Sequence, residues 1–223
     1  MSTQSPTSKK IDMSYKPNYK YIPPIKWAVL TPLYDFFCVI SGLGSRLRAK
    51  VLNSVQLRDN MAVVDVGCGT GVFLMIAKRR YPRVQFIGLD PDKKALAIAQ
   101  RRLARAAADV ELKEAFAEQL PLRDESVDVV YSTLAFHYMP NSIKQQAIKE
   151  IHRVLRYGGK IVIADFGETQ SHFFRKMLFF EKLEYIEGNF NGLILGYLKE
   201  SQFRDSAVIG RHFSGIDIVV AEK

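Results

Sequence analysis

The chain has 223 residues and a mass of 25.3 kDa, room for one large domain or one domain with a small cap. Hydrophobic residues at 48% and charged residues at 25% exclude a mostly disordered chain. The net charge is +9, and residues 1–60 hold nine bases against three acids, so the basic bias belongs mainly to the N-terminal segment.

Residues 1–14 are polar and rich in Ser, Thr and Lys, the composition of a disordered terminus. Residues 15–26 carry three prolines and cannot be regular helix. Lys9, Lys10, Lys16, Lys20 and Lys26 are interleaved with Tyr15, Tyr19 and Tyr21. That pattern suits either a solvated tail or peripheral contact with an anionic membrane, where each base adds about 1 kcal/mol. Residues 1–26 contain no continuous apolar run, so no signal peptide is expected. Residues 27–58 read as two apolar helices split near Gly42 and Gly44, with a turn at Arg58, Asp59 and Asn60, and together they form a helical cap over 27–60. The stretch Trp27 to Leu43 is interrupted by Pro32 and Asp35 and falls short of the roughly 20 residues a membrane span needs.

From residue 61 short apolar runs alternate with helical patterns. Strands are expected at 62–66, 84–89, 110–115, 127–134 and 160–166, and helices at 72–80, 93–107 and 142–155. Tyr157, Gly158 and Gly159 read as the stop of the last of these helices. An aromatic helix over 170–187, a helix over 189–203 and two strands joined at Ser214–Gly215 complete the chain. Such alternation implies an α/β fold, a Rossmann-like doubly wound sheet of about seven strands. The sheet is mostly parallel, with an antiparallel hairpin at one edge. The organisation expected is a flexible basic segment (1–26), a helical cap (27–60) and one domain (61–223).

Only Cys38 and Cys68 are available for a disulfide, which fits a reducing, cytoplasmic setting. His137, His152, His172 and His212 show no metal-ligand spacing, and no metal is expected. The basic clusters at 78–83 (KRRYPR) and 101–105 (RRLAR) read as solvated helix ends or faces.

The sharpest motif is VVDVGCGTG, residues 63–71, in which a strand runs into Gly67, Gly69 and Gly71 and then into a helix. Its G-x-G-x-G spacing differs from the dinucleotide fingerprint, and no G-K-[ST] follows to make a phosphate loop. Asp65 would repel a pyrophosphate but would accept a hydrogen bond from an amino group. Asp90 stands 19 residues after Gly71 at the end of the next strand, placed to accept from both hydroxyls of a ribose. These features call for a ligand with a ribose and an amino group and no required phosphate.

Taken with IGLDPD, FAEQLPLRDESVDVVYSTLAFHYMP and HRVLRYGGKIVIADF, in that order, the loop resembles the class I S-adenosylmethionine-dependent methyltransferases. Within them the chain is most similar to the ubiquinone/menaquinone C-methyltransferase-like branch. The resemblance is strong over residues 60–167 and loose elsewhere. It implies that Asp65 and the loop of Gly67, Cys68, Gly69 and Gly71 hold the methionine end of S-adenosylmethionine. Asp90 would hold the ribose, Pro91 would lie against the adenine, and Phe116, Ala117 and Glu118 would border its edge. Ser132 and Thr133 would offer carbonyls to the amino group, and Tyr34 would belong to the cap over the cofactor. Two departures stand out. The family often has Asp where this chain has Phe116, and its quinone-methylating members carry an Arg–Asn pair where this chain has Met139 and Pro140.

His137, just past a strand tip, is the candidate base, because imidazole titrates near neutral pH. His137, Tyr138 and Phe173 are the candidate acceptor contacts, and packing alone is the competing role for His137. Cys68 reads as a small residue packing beneath the cofactor. The expected activity is in-line methyl transfer to a small hydrophobic or aromatic acceptor of quinone, phenol or lipid-like type, yielding S-adenosylhomocysteine. Two alternatives stay open: an RNA or protein methyltransferase, and a non-catalytic cofactor-binding partner protein. Nucleic acid is not the expected partner, since the chain lacks an added recognition domain. The sequence does not specify an oligomeric state.

Overall fold

The computed structural model describes Tyr15, Pro17, Tyr19 and residues 44–167, 185, 187–212 and 215–223. Residues 27–43, which hold the first of the two expected N-terminal helices, and residues 170–184 of the aromatic helix expected over 170–187, and with them Tyr34, Cys38, His172 and Phe173, lie outside the described residues.

In chain order the elements are α1 (Ser45–Leu52), β1 (Ala62–Val66), α2 (Val72–Arg80), β2 (Gln85–Asp90), α3 (Lys93–Arg105), β3 (Glu111–Glu114) and β4 (Val127–Thr133). A short 3-10 helix (Phe136–Tyr138), α4 (Asn141–Val154) and β5 (Leu155–Phe166) follow. Then come α5 (Glu187–Phe190), α6 (Leu193–Glu200), β6 (Arg204–His212) and β7 (Ile216–Glu222). The seven strands form one sheet in the order β3-β2-β1-β4-β5-β7-β6. Pairs from β3 to β5 are parallel, and β7 runs antiparallel between β5 and β6. The hairpin thus turns inward, and its second strand is the one that joins the sheet.

Alternation along β1 explains the two-sided core. Val64 and Val66 point to the face covered by α4 and α6, with Phe136, Ile148, Ile151 and Leu198. Val63 points to the other face, with Phe73 and Leu74 of α2, Leu103 of α3 and Tyr131 of β4. Leu47, Val51 and Leu52 of α1 are fully buried in that second cluster, so this part of the segment read as a cap packs into the domain core. Burial of three such side chains contributes about 5–9 kcal/mol before entropy is charged.

Two local expectations are corrected. Tyr157, Gly158 and Gly159 are not the stop between the helix and a strand expected from 160, because α4 already ends at Val154 and β5 begins at Leu155 and runs through them. The diglycine instead bends β5 against the far end of β7. Gly158 N–H donates to Lys223 O at 3.0 Å, Lys223 N–H donates to Gly159 O at 2.9 Å, and Gly158 takes φ +74°. The single helix expected over 189–203 is broken into α5 and α6 by Gly192 at φ +70°.

The sheet order places β1 and β4 side by side, while their crossovers leave in opposite directions. The crevice beyond their carboxyl ends is where open α/β sheets bind ligands. The glycine loop enters it from β1 and the 3-10 helix from β4.

Candidate active site

On the β1 side the backbone builds the site. Gly67, Gly69 and Gly71 all take positive φ, at +76°, +52° and +74°. At Gly67 a Cβ would stand 2.4 Å from the Ala135 Cβ, so only glycine lets β1 meet the β4 tip this closely. At Gly69 a Cβ would meet nothing within 4 Å, which leaves an open cradle beside the loop backbone. The Asp90 carboxylate at the end of β2 accepts from Gly69 N–H and from Asp92 N–H, each at 2.8 Å. Asp92 in turn caps α3 by accepting from Lys94 N–H and Ala95 N–H. Each Asp90 oxygen keeps capacity for a further donor. Burial raises the Asp90 carboxyl above the ordinary carboxylate range, against the two backbone bonds that lower it.

Asp65 is 2% exposed, and its Oδ1 has no hydrogen-bond partner among the described residues. Burial pushes its carboxyl up to about 7, with Arg48 opposing the shift and Asp90 adding to it. Two more buried oxygens lack partners there, Thr133 Oγ1 at the end of β4 and Glu118 Oε2 in the loop after β3. Orphaned polar atoms inside a folded chain call for a ligand or solvent to satisfy them. Asp65 and Thr133 near the ends of the adjacent strands β1 and β4, with Glu118 in the loop after β3, fit a polar molecule carrying several donors, and a cationic amino group suits Asp65.

The remaining cofactor-side residues fall into three settings. Ser132 is buried and donates its hydroxyl to Val66 O at 2.8 Å, which ties β4 to β1 under the crevice. Cys68 is buried and its thiol is pushed up by burial, so it packs and does not react. Pro91 is half-buried between Asp90 and the α3 cap, and Ala117 is buried. Phe116 receives the Tyr15 ring edge-on at 5.6 Å, and the Tyr15 hydroxyl donates to Glu118 Oε1 at 3.0 Å. A tyrosine read as interfacial is therefore seated on the expected adenine edge. Burial and Glu118 push its hydroxyl up to about 12, so it stays a donor. The loop is pinned from below, since Glu150 Oε2 accepts from Leu120 N–H and Arg153 donates to Leu120 O and Leu122 O.

On the β4 and β5 side the site is made of side chains. His137 is 5% exposed in the 3-10 helix, two residues beyond the Ala135 that faces Gly67. Its Nδ1 lies 2.8 Å from Asp165 Oδ1 at the end of β5. Asp165 also accepts from the N–H groups of Phe136, His137 and Phe166 and from Asn189 Nδ2. Burial alone would raise Asp165, yet the His137 ring, these bonds and Lys144 hold it below the usual carboxylate range. An ionised carboxylate only accepts, so the His137 nitrogen that faces it is Nδ1–H, and Nε2 is the ring nitrogen turned away from Asp165. Tyr138 and Phe166 flank the imidazole at ring distances of 4.1 and 4.9 Å.

Sequence reasoning named His137 and Tyr138 but missed Asp165, Asn189 and Lys144. Asp165 was visible as a charge inside the apolar run IVIADF, and Lys144 as a cation on the apolar face of α4. Lys144 is fully buried and donates to Tyr185 O and to Asn141 Oδ1. Burial brings its ammonium down to about 8, against the pull of Asp165. His152, read as solvated, is half-buried edge-on to Phe203 at 5.0 Å. Among the described residues no cluster of His, Cys, Asp or Glu could hold a metal ion.

This fold, with its glycine loop and paired strand-tip carboxylates, is that of a class I S-adenosylmethionine-dependent methyltransferase. Residues 63–159 match the family described as a methyltransferase domain. The chain is 30% identical over 156 residues to the ubiquinone/menaquinone biosynthesis C-methyltransferase UbiE of Geobacter sulfurreducens, covering 68% of this chain and 60% of that protein. It is 30% identical over 139 residues to the demethylmenaquinone methyltransferase of Thermus thermophilus, covering 61% of this chain and 62% of that one. The chain thus spans about three-fifths of the length of these relatives. The structure superposes on phosphoethanolamine N-methyltransferase 2 of Haemonchus contortus, solved with S-adenosyl-L-methionine, at a TM-score of 0.67 and 17% identity, covering 81% of this chain and 53% of that one. That last likeness is one of fold. The chain carries a class I S-adenosylmethionine-dependent methyltransferase domain, similar in sequence to the ubiquinone/menaquinone C-methyltransferase-like branch.

Proposed function

We propose that this chain binds S-adenosylmethionine in the β1/β4 crevice and methylates a small hydrophobic aromatic acceptor of the phenol or quinol type. The observation that carries the cofactor half is the set of partnerless buried oxygens on Asp65, Thr133 and Glu118 around an open glycine cradle. Asp65 and the Gly67–Gly71 loop would hold the amino acid end, Asp90 the ribose, and Phe116 with Glu118 the adenine edge. When bound, the cofactor supplies an already activated methyl group, so the chain need only align the acceptor and keep water out.

The His137–Asp165 pair supports a reaction in which the acceptor loses a proton. Asp165 fixes the tautomer, and His137 Nε2 takes the proton from the acceptor hydroxyl or ring carbon as the methyl bond forms. The imidazolium then returns that proton to solvent. Phe166 and Tyr138 give the base an apolar and aromatic surround, which suits a ring-bearing acceptor. The relatives named above act in ubiquinone and menaquinone biosynthesis by their names. Met139 and Pro140 replace the Arg–Asn pair of the quinone enzymes, so a simpler phenol is the acceptor to try beside a demethylmenaquinol.

The test is transfer of labelled methyl from S-adenosylmethionine to demethylmenaquinol and to alkyl phenols of graded chain length. Turnover that rises with acceptor hydrophobicity and falls in His137→Ala supports the reading. Saturable S-adenosylmethionine binding without transfer to any phenol or quinol would overturn the acceptor class, and absence of binding would overturn the function.

A further inference from the structure

Helices α2 and α3 lie side by side on the face of the sheet opposite α4, and His137 does not line the groove between them. Between them runs a groove of about 370 Å³ rimmed by Arg79, Arg101, Arg102 and Arg105 and floored by Met75 and Ile98. The two clusters read as solvated in the sequence therefore meet across one concavity. Its volume falls in the range of small-molecule sites.

Among the described residues the charges are not balanced. Arg79, Arg101 and Arg105 are exposed, and among the described residues none of them pairs with a carboxylate. Arg101 and Arg105 stand four apart on α3, a like-charge spacing that costs a helix a few tenths of a kcal/mol. Helix carboxyl ends do favour cations. That preference extends only over the last turn, and Arg101 lies outside it. Lys78 and Arg83 serve other partners, Val84 O and Asp59. What remains is a set of planar, always charged forks over an apolar floor, the chemistry that binds phosphate oxygens bidentately and stacks on rings.

Arg102 links this groove to the cofactor loop. Its Nη1 donates to both Thr70 O and Thr70 Oγ1, each at 2.6 Å, and Thr70 lies between Gly69 and Gly71. The other guanidinium nitrogens have no bond to the loop. An anion seated on them would brace the arginine that braces Thr70.

We propose that the α2/α3 groove binds a small phosphorylated molecule with an apolar or aromatic body, and that its occupancy tightens the cofactor loop through Arg102. The site itself is independent of the methyltransferase reading, whereas the coupling rests on it. The two are therefore measured separately.

The first experiment titrates the full chain, without cofactor, with inorganic pyrophosphate and with 1-naphthyl phosphate by calorimetry at matched ionic strength, against sulfate. Saturable binding that is tighter for 1-naphthyl phosphate than for sulfate, and at least tenfold weaker in R79A/R101A/R105A, supports the site. The charge-retaining R79K/R101K/R105K variant should recover only part of the loss, since ammonium groups cannot fork. Thermal melts of both variants confirm folding. Binding indistinguishable from sulfate, or unchanged by the triple substitution, overturns the proposal. So does arginine-dependent retention of an RNA oligomer or an anionic vesicle without any small-phosphate binding. The second experiment measures S-adenosylhomocysteine affinity with and without saturating 1-naphthyl phosphate. An affinity at least threefold tighter in the wild type and unchanged in R79A/R101A/R105A supports the coupling. Equal affinities in the wild type overturn the coupling and leave the site to the first experiment, and no affinity in either condition overturns the cofactor reading instead.

Discussion

The two walls of the crevice are built by opposite means. The β1/β2 wall is made mainly of the short loop that holds three positive-φ glycines, and Gly69 N–H ties that loop to the Asp90 carboxylate at the end of the next strand. The β4/β5 wall is assembled from side chains far apart in the chain. His137, Asp165 and Asn189 converge from the 3-10 helix, β5 and α5, with Lys144 of α4 buried nearby. A backbone-built wall needs only local sequence and recognises one constant partner, the cofactor. A wall made of long-range side chains can be altered one residue at a time without disturbing the other, which suits the variable half of a two-ligand reaction.

Substitutions on each wall should therefore separate binding from turnover. The largest effect is expected at His137→Ala, with turnover falling about 10²- to 10⁴-fold and cofactor affinity staying within about threefold in calorimetry. Asp165→Asn should follow it in direction, because an amide can donate to Nδ1 and set the wrong tautomer. Unchanged turnover in His137→Ala would reduce the histidine to a packing residue and dissolve the contrast.

Asp90→Asn should do the reverse. Cofactor affinity is expected to drop about 100-fold, on the order of 3 kcal/mol, with the melting temperature largely kept. Full affinity in that variant would remove Asp90 from the ribose.

Asp65→Asn sharpens the comparison through protons. The folded Asp65 titrates at about 7, well above its ordinary value of 3.8. The fold therefore favours the neutral form. The stability this provides is complete below pH 3.8 and is lost as pH rises through 7. Removing the charge should raise the melting temperature of the unliganded protein at pH 8 by a few degrees and leave it unchanged near pH 4. A bound cation would pull the proton off, so wild-type binding at pH 6 should release about one proton, read from calorimetry in buffers of different ionisation enthalpy. Zero release would separate Asp65 from the amino group.

The smallest effect belongs to Tyr15→Phe. It deletes the hydroxyl bond to Glu118 and keeps the ring on Phe116. Cofactor affinity should weaken about threefold, the size of one net hydrogen bond of under 1 kcal/mol. An unchanged affinity would detach the N-terminal segment from the cofactor wall.

What the amino-acid sequence determined by itself is the part carried by local periodicity and backbone chemistry. Strand and helix alternation from residue 62, the glycine loop, Asp90 and the class they define were all legible, because each depends on neighbours within a few residues. Gly69 and Asp90 were each legible, and their contact follows from the parallel pairing of β1 with β2. Only the tertiary structure decided the rest. The inward turn of the final hairpin depends on which edge of β5 is left to pair, and so does the extended path of Gly158 and Gly159 beside Lys223. By sequence Asp165 is one polar residue in an apolar strand, and only the pairing of β5 with β4 brings its carboxylate to His137. Tyr15 met Glu118 across 103 positions, and the arginines of α2 and α3 became one groove only when their helices packed on the same face. Contacts of that kind are set by how the layers stack, and no local pattern of residues encodes them.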